Sequence, residues 1–451
     1  MSQINSSIFR AYDIRGIYPN DINEEAAYKI AQAYSKFLGG EKPTVVIGRD
    51  VRLSGLKLQQ AFTAGLCDHG INVVDIGMVP TDQMYFAVVH GKYDGGVQIT
   101  ASHNPAQYNG IKLVRAKAHP ISGDSGIMQI RDIAASGYEY KTLEKGSVTS
   151  KSFDDEYIEK VLSIIDVKAI RHFKVVANLN FGAIGSTIAT IAAKLGLKLD
   201  TINAEPNGSF PKGRPDPLIP ENRTETIERV RITGADLGVA WDADADRCYF
   251  FDEKGRFLSG YFTNVILADY MLEKYPKSKV VADARQVWAL QDAVATKGGE
   301  LLLNLAGHSR IKERMIKEDA VYGGELSGHY YFKDFYYLDN GVIPFLLMLE
   351  LLSKTSASMS QLYQPLFAKY FPTEEINSEV KDVEAVLSAL KETYKDGELN
   401  ELDGVSIEYP DWRFNVRAGN TEPVVRLNLE AKSAQLREEK EKEVLSIIRG
   451  Q

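Results

Sequence analysis

Three apolar runs of the same shape recur along the chain. PTVVIGRD (43–50), FKVVANLN (173–180) and SKVVADAR (278–285) each hold two adjacent valines and turn polar at the end. A short apolar run bounded by polar residues reads as a buried strand. Each is followed by a helix-like segment: LKLQQAFTAGLCDHG, STIATIAAKLG and WALQDAVATKGG. A second apolar run comes next: INVVDIG, LKLDTIN and ELLLNLAG. Strand, helix and strand in that order predict parallel or mixed sheets covered by helices. The copies lie roughly 130 and 105 residues apart, far more than the ~20–50 residues of a solenoid repeat, so three related domains are expected.

The remainder is patterned differently. After LFAKYFPTEE (366–375) come one helical stretch, VKDVEAVLSALKETY, the strand-like DGVSIEYP, WRFNVRAGNTEP and VVRLNLEAKS, and a charged helix, QLREEKEKEVLSIIRG. This reads as an α+β unit with antiparallel strands. The expected fold class is therefore α/β: three related mixed-sheet α/β domains plus a C-terminal α+β domain. The expected boundaries are 1–150, 151–255, 256–370 and 371–451.

Charge narrows the partners. The 451 residues carry 53 basic and 61 acidic side chains, a net of −8. Such a surface repels nucleic acid and anionic membranes, so neither is expected as a partner. A phosphorylated small molecule would need a locally basic pocket. Cys67 and Cys248 are the only cysteines. They form no disulfide framework, cannot close a zinc site alone, and read as buried thiols. VIPFLLMLELL (342–352) contains Glu350 and is too short to span a bilayer, so it reads as a buried helix. MSQINSSIFRAYDIRG lacks a charged-then-apolar signal pattern, and a cytoplasmic location is expected.

Four stretches carry candidate chemistry. TASHNPAQYNGIK (100–112) follows the strand-like GGVQIT, and Asn104-Pro105 is a turn signal. Ser102 is thus expected on a loop at a strand end, where α/β proteins place chemistry. It also reads as a serine that only satisfies a turn. On an extended chain His103 would point away from it. The Gly-x-Ser-x-Gly elbow is absent, which argues against a hydrolase triad.

DADADR (242–247) follows the strand-like ADLGVAW. If extended, its alternation puts Asp242, Asp244 and Asp246 on one face, and three close carboxylates call for a cation. Hard oxygens suit Mg²⁺, and Arg247 can pair with a phosphate. The competing reading is a polar turn. GGELSGHYYF (323–332) places Glu325, Ser327 and His329 in alternation among glycines, suited to sugar hydroxyls, or forms a glycine-rich hairpin. RAGNTEPVVR (417–426) sets Arg417, Asn420 and Thr421 around Gly419. That is an anion cradle or, equally, an ordinary turn. Arg15, Arg49 and Arg52 sit beside glycines near strand ends and read as surface ion pairs as readily as ligands. A serine near three metal-binding aspartates points to phosphoryl transfer.

In order, FRAYDIRG, TASHNP with NGIK, DADADR, GELSGH and RAGNTEP resemble the α-D-phosphohexomutase superfamily, within it the bacterial phosphomannomutase/phosphoglucomutase group. The resemblance spans the chain. It implies four domains around a central cleft and a mutase acting on hexose phosphates, as a monomer or small homo-oligomer. Ser102 would be the phosphoserine and a metal ligand beside Asp242, Asp244 and Asp246, with Mg²⁺ as cofactor and hexose 1,6-bisphosphate as activator and intermediate. Lys112, Arg15 and His329 would serve proton transfer or its electrostatic support. Substrate contacts would be Tyr12, Arg247, His308, Glu325, Ser327, Arg417, Gly419, Asn420 and Thr421. Glu325 and Ser327 would read the 3- and 4-hydroxyls, and the loop at 417–421 would grip the non-reacting phosphate. Mannose phosphates are the expected substrates, on the strength of Leu326 in GELSGHYYFKDF. Phosphoglucomutase or dual specificity is the near alternative; a metal-dependent sugar phosphatase or a non-catalytic sensor is more distant. The chain departs from the common pattern at Gly419, where many members carry Ser, and at Leu305-Ala306, where many carry Lys-Thr.

Overall fold

Thr44–Arg49, the first of the recurring runs, is a strand whose Val45, Val46 and Ile47 are wholly buried. Parallel neighbours flank it on both sides: Asn72–Met78 after the helix Gly55–Asp68, and Gly95–Ile99 after the helix Thr81–His90. Helix-covered parallel strands have no solvent face, which is why they read as continuous apolar runs. Gly95–Ile99 then pairs antiparallel with Tyr108–Arg115, and that strand with Ile14–Ile17. The sheet has six strands. The chain leaves the central strand in opposite directions, so a crevice opens at the C-terminal ends of Thr44–Arg49 and Gly95–Ile99.

The same plan recurs twice. Lys174–Asn178 lies between Lys198–Ile202 and Leu237–Trp241, both parallel to it, and Leu237–Trp241 turns back into antiparallel Cys248–Phe251. Lys279–Asp283 lies between parallel Glu300–Asn304 and Tyr322–Gly324. In each copy the third strand runs straight into a motif: TASHNP after Ile99, DADADR after Trp241 and ELSGH after Gly324.

The C-terminal portion is α+β with antiparallel strands, as its pattern predicted. Trp412–Ala418 pairs with Val405–Glu408 and with Val424–Ala431. One face of this ladder buries Phe414, Val416, Val425, Leu427 and Leu429 with residues of the helices Val383–Thr393 and Ala434–Arg449. The other face carries the cross-strand pairs Arg413/Glu430, Asn415/Asn428 and Arg417/Arg426.

These features come from a computed structural model that describes residues 4–419 and 423–450. Asn420 and Thr421 lie outside the described residues. The chain divides into two compact units, residues 1–258 with 329–359 and residues 259–328 with 360–451. The helix Val342–Thr355 is buried, including Glu350. Among the described residues no single helix is long and apolar enough to cross a membrane. Cys248 is buried as expected, but Cys67 is only half-buried.

Candidate active site

Ser102 caps the crevice at the end of Gly95–Ile99. Its backbone is left-handed, with φ +47°, so the loop is not extended. The expectation that His103 points away therefore fails: its Nδ1 lies 3.0 Å from Ser102 Oγ. Burial, with Arg247, Arg214 and Arg15 nearby, holds the His103 imidazole well below its ordinary pKa. Ser102 Oγ also donates to Asp242 Oδ2 at 2.9 Å.

DADADR is likewise a turn rather than an extended strand. Ala245, with φ +56°, reverses the chain between Asp244 and Asp246. The three carboxylates still converge, and one oxygen from each lies within 4.8 Å of the others. All three side chains are buried. Thr81 Oγ1 donates to Asp244 Oδ2 at 2.7 Å, and Thr81 N to the Asp244 carbonyl at 3.0 Å. Lys112, on the strand Tyr108–Arg115, sets its ammonium 2.8 Å from Asp244 Oδ2 and 2.5 Å from Asp246 Oδ2.

Electrostatics separates the members of this cluster. Burial, then Asp244 and Asp246, push Asp242 well above the carboxylate range. Burial acts on Asp246 in the same sense, but Lys112, His329 and Arg247 outweigh it and hold that carboxyl well below. For Lys112, burial favours the neutral amine, yet the two aspartates raise its pKa well above the usual value. Lys112 thus stands as a hydrogen-bond donor to both carboxylates. Asp244 Oδ1 is buried without a hydrogen-bond partner, and Asp246 Oδ1 is buried with His329 Nε2 3.3 Å away. An unpaired buried oxygen is costly unless something coordinates it, and three aspartates fit a hard divalent ion.

The other sequence candidates divide between the two units. His329 joins the aspartate cluster, with Nε2 3.3 Å from Asp246 Oδ1 and Arg247 Nε 3.4 Å away. Arg15 donates to Asn104 Oδ1 at 2.9 Å on the Ser102 loop and pairs with Asp13. Tyr12 is half-buried just before the strand Ile14–Ile17. In the second unit, Glu325–Gly328 is a turn with Gly328 at φ +85°, so Glu325, Ser327 and His329 do not alternate along one strand face. Glu325 Oε1 accepts from Gly307 N at 2.7 Å, which fastens this turn to the start of the helix His308–Glu318.

Arg417 belongs to a cluster that sequence reading missed. Glu375 takes Arg285 Nη1 at 3.1 Å and Arg417 Nη2 at 3.2 Å on one oxygen, and Arg426 Nη1 at 3.2 Å on the other. Although burial opposes ionisation, these arginines lower the Glu375 pKa to about 2. Arg417 and Arg426 face each other across the ladder, where like charges repel, and Glu375 relieves the repulsion. Arg285 pairs in turn with Asp283, whose Oδ2 accepts from Leu326 N at 2.9 Å. The turn bearing Glu325 and the strand bearing Arg417 are thus linked through Asp283, Arg285 and Glu375. The available signal was an Asp-x-Arg at the ends of both VVIGRDVR and VVADAR.

Comparison with known proteins accounts for these features together. Models of phosphoglucomutase/phosphomannomutase match in chain order: alpha/beta/alpha domain I over residues 6–141, domain II over 155–255, domain III over 259–370 and the C-terminal domain over 375–446. A phosphomannomutase of Salmonella montevideo is 42% identical, with 98% of this chain and 99% of that protein aligned. A protein of Xanthomonas campestris pv. campestris described as phosphohexose mutases is also 42% identical, at 98% and 99% coverage. The crystal structure of a phosphoglucomutase/phosphomannomutase family protein from Burkholderia thailandensis superposes with TM-score 0.88 at 31% identity, covering 99% of this chain and 98% of that one.

Proposed function

The chain belongs to the phosphoglucomutase/phosphomannomutase family and is a phosphohexomutase, and on that premise we propose that it interconverts mannose 1-phosphate and mannose 6-phosphate through a phosphorylated Ser102. The observation that carries this reading is Ser102 Oγ, 2.9 Å from Asp242 within a buried three-aspartate cluster.

Phosphoserine 102 transfers its phosphoryl group to the 6-hydroxyl of mannose 1-phosphate. The P–Oγ bond breaks, a P–O6 bond forms, and the hydroxyl proton leaves to a base. The bisphosphate turns over and returns the phosphoryl from O1 to Ser102, releasing mannose 6-phosphate. Asp242, Asp244, Asp246 and Ser102 would hold Mg²⁺, which when bound would supply charge neutralisation to the reacting phosphate. Lys112, beside Asp244 and Asp246, serves proton transfer or its electrostatic support. His329 and Arg15 border the reacting serine loop and its aspartates and share that role. Arg247 adds a cation beside Asp242. In the second unit Arg417 with Gly419, Asn420 and Thr421 grips the non-reacting phosphate, and Glu325, Ser327 and His308 hold the sugar.

Mannose is favoured by the names of the relatives at 42% and 43% identity and by the GELSGH loop. A second reading, dual specificity, is favoured by Glu325 and Ser327 as readers of hydroxyls common to glucose and mannose, and by the broader description of the Xanthomonas relative. Phosphorus NMR tests both. The full chain with Mg²⁺ and a trace of hexose 1,6-bisphosphate receives mannose 1-phosphate or glucose 1-phosphate in separate tubes. A faster-growing 6-phosphate signal from mannose supports the proposal, and equal rates replace it with dual specificity. Free phosphate alone, or no change in either tube, overturns both.

A further inference from the structure

The three related domains hold their motif loops with the same bracket. At the end of each central strand an Asp or Asn accepts the backbone N–H two residues ahead: Arg52 N on Asp50 Oδ1 at 2.9 Å, Asn180 N on Asn178 Oδ1 at 3.1 Å and Arg285 N on Asp283 Oδ1 at 3.2 Å. The bracket then reaches the loop after the third strand. Asn180 Nδ2 donates to the Trp241 carbonyl, next to Asp242, at 2.6 Å. Asp283 Oδ2, backed by Arg285, takes Leu326 N, next to Glu325.

The first copy is the most developed. Arg52 Nη2 donates to the carbonyls of Ser102 and Asn104, both at 2.7 Å, and Nη1 to those of Pro105 at 2.7 Å and Tyr108 at 2.9 Å. The side chain is buried and paired through Nε with Asp50 at 3.1 Å. Asp50 Oδ2 accepts from Thr100 Oγ1 at 2.7 Å, and that hydroxyl accepts from Ser102 N at 2.9 Å. Both backbone polar groups of Ser102 are therefore fixed by one buried ion pair: the carbonyl directly by Arg52, the N–H through Thr100 to Asp50. These two anchors hold the Ser102 backbone in its left-handed conformation, from which Oγ reaches Asp242.

We propose that the Asp50–Arg52 pair, with Thr100 as its relay, is the positioning device of the nucleophile loop. It touches no reacting atom; it aims Ser102. The proposal rests on the reading of Ser102 as the phosphoryl carrier. A planar fork makes four simultaneous bonds to diverging carbonyls, which a lysine ammonium, with three donors on one atom, does not reproduce.

The test uses the full-length chain with Mg²⁺ and hexose 1,6-bisphosphate. Arg52→Lys, checked for folding by circular dichroism, is expected to lose about 10²-fold in kcat, as loss of reactive alignment does, with KM for mannose 1-phosphate changed less than about threefold. Thr100→Val should lose kcat in the same way and Thr100→Ser should restore it, which decides the matter if Arg52→Lys does not fold. Folded Arg52→Lys or Thr100→Val with wild-type kcat overturns the proposal. Ser102→Ala, run alongside, separates the two claims. Inactive Ser102→Ala beside active bracket variants refutes the bracket alone, whereas active Ser102→Ala refutes the carrier on which it rests.

Discussion

At Ser102 the backbone adopts φ +47°, a region that costs an ordinary L-residue roughly 1–2 kcal/mol. That torsion brings His103 within 3.0 Å of Oγ and aims Oγ at Asp242. No periodicity in TASHNP announces it, because pattern reading assumes extended backbone on either side of a strand end. The identity of the serine was legible; its neighbour was not. Glu375 raises the same difficulty from another direction. Nothing in FPTEE marks one of two adjacent glutamates as the counter-ion of three arginines drawn from separate strands and loops. Its pKa of about 2, against an ordinary 4.5, gives it a measurable signature. The folded form holds its proton less tightly than the unfolded form, so its stabilisation is present above pH 4.5 and is lost as pH falls from about 4.5 to 2. Glu375→Gln is expected to lower the melting temperature at neutral pH and to flatten the loss of stability over that acid range. Urea unfolding from pH 2.5 to 7 checks it, and an unchanged pH slope contradicts it.

The elements themselves were the most legible part. Buried parallel strands produce apolar runs, and the helices between them must be amphipathic, so the thrice-repeated strand–helix–strand could be read from hydrophobicity alone. The motif stretches read as either extended strands or turns in the sequence, and positive φ at Ala245 and Gly328 makes them turns. How elements shape a site is clearest at Gly341, which precedes the buried helix Val342–Thr355. A Cβ there would lie 2.1 Å from the Ala245 carbonyl oxygen, in the middle of DADADR, while Trp241 Nε1 donates to the Gly341 carbonyl at 2.7 Å. The three-aspartate turn is packed on the backbone that starts the helix. Gly341→Ala is expected to cost roughly 1–3 kcal/mol through overpacking and to raise the Mg²⁺ concentration needed for half-maximal turnover. Thermal unfolding and a Mg²⁺ titration measure the two effects; wild-type values in both would show that the turn is not held from this side.

Across the whole molecule the chemistry is divided. Residues 1–258 with 329–359 carry the serine, the aspartates, Lys112, Arg247 and His329. Residues 259–328 with 360–451 carry the turn bearing Glu325 and Ser327 and the arginine cluster on Glu375. A chain with net charge −8 thus concentrates basic side chains where anionic substrates are proposed to bind, and buries carboxylates where a cation is needed. The central claim is that the phosphoryl group passes through Ser102. The most direct measurement is to incubate the full chain with Mg²⁺ and hexose 1,6-bisphosphate, map phosphopeptides by mass spectrometry, then chase with mannose 1-phosphate, with Ser102→Ala in parallel. The account predicts one phosphoryl group on the peptide carrying Ser102, discharged to the sugar by the chase, with labelling and turnover both lost in Ser102→Ala. Labelling at another residue, or undiminished turnover in Ser102→Ala, would contradict it.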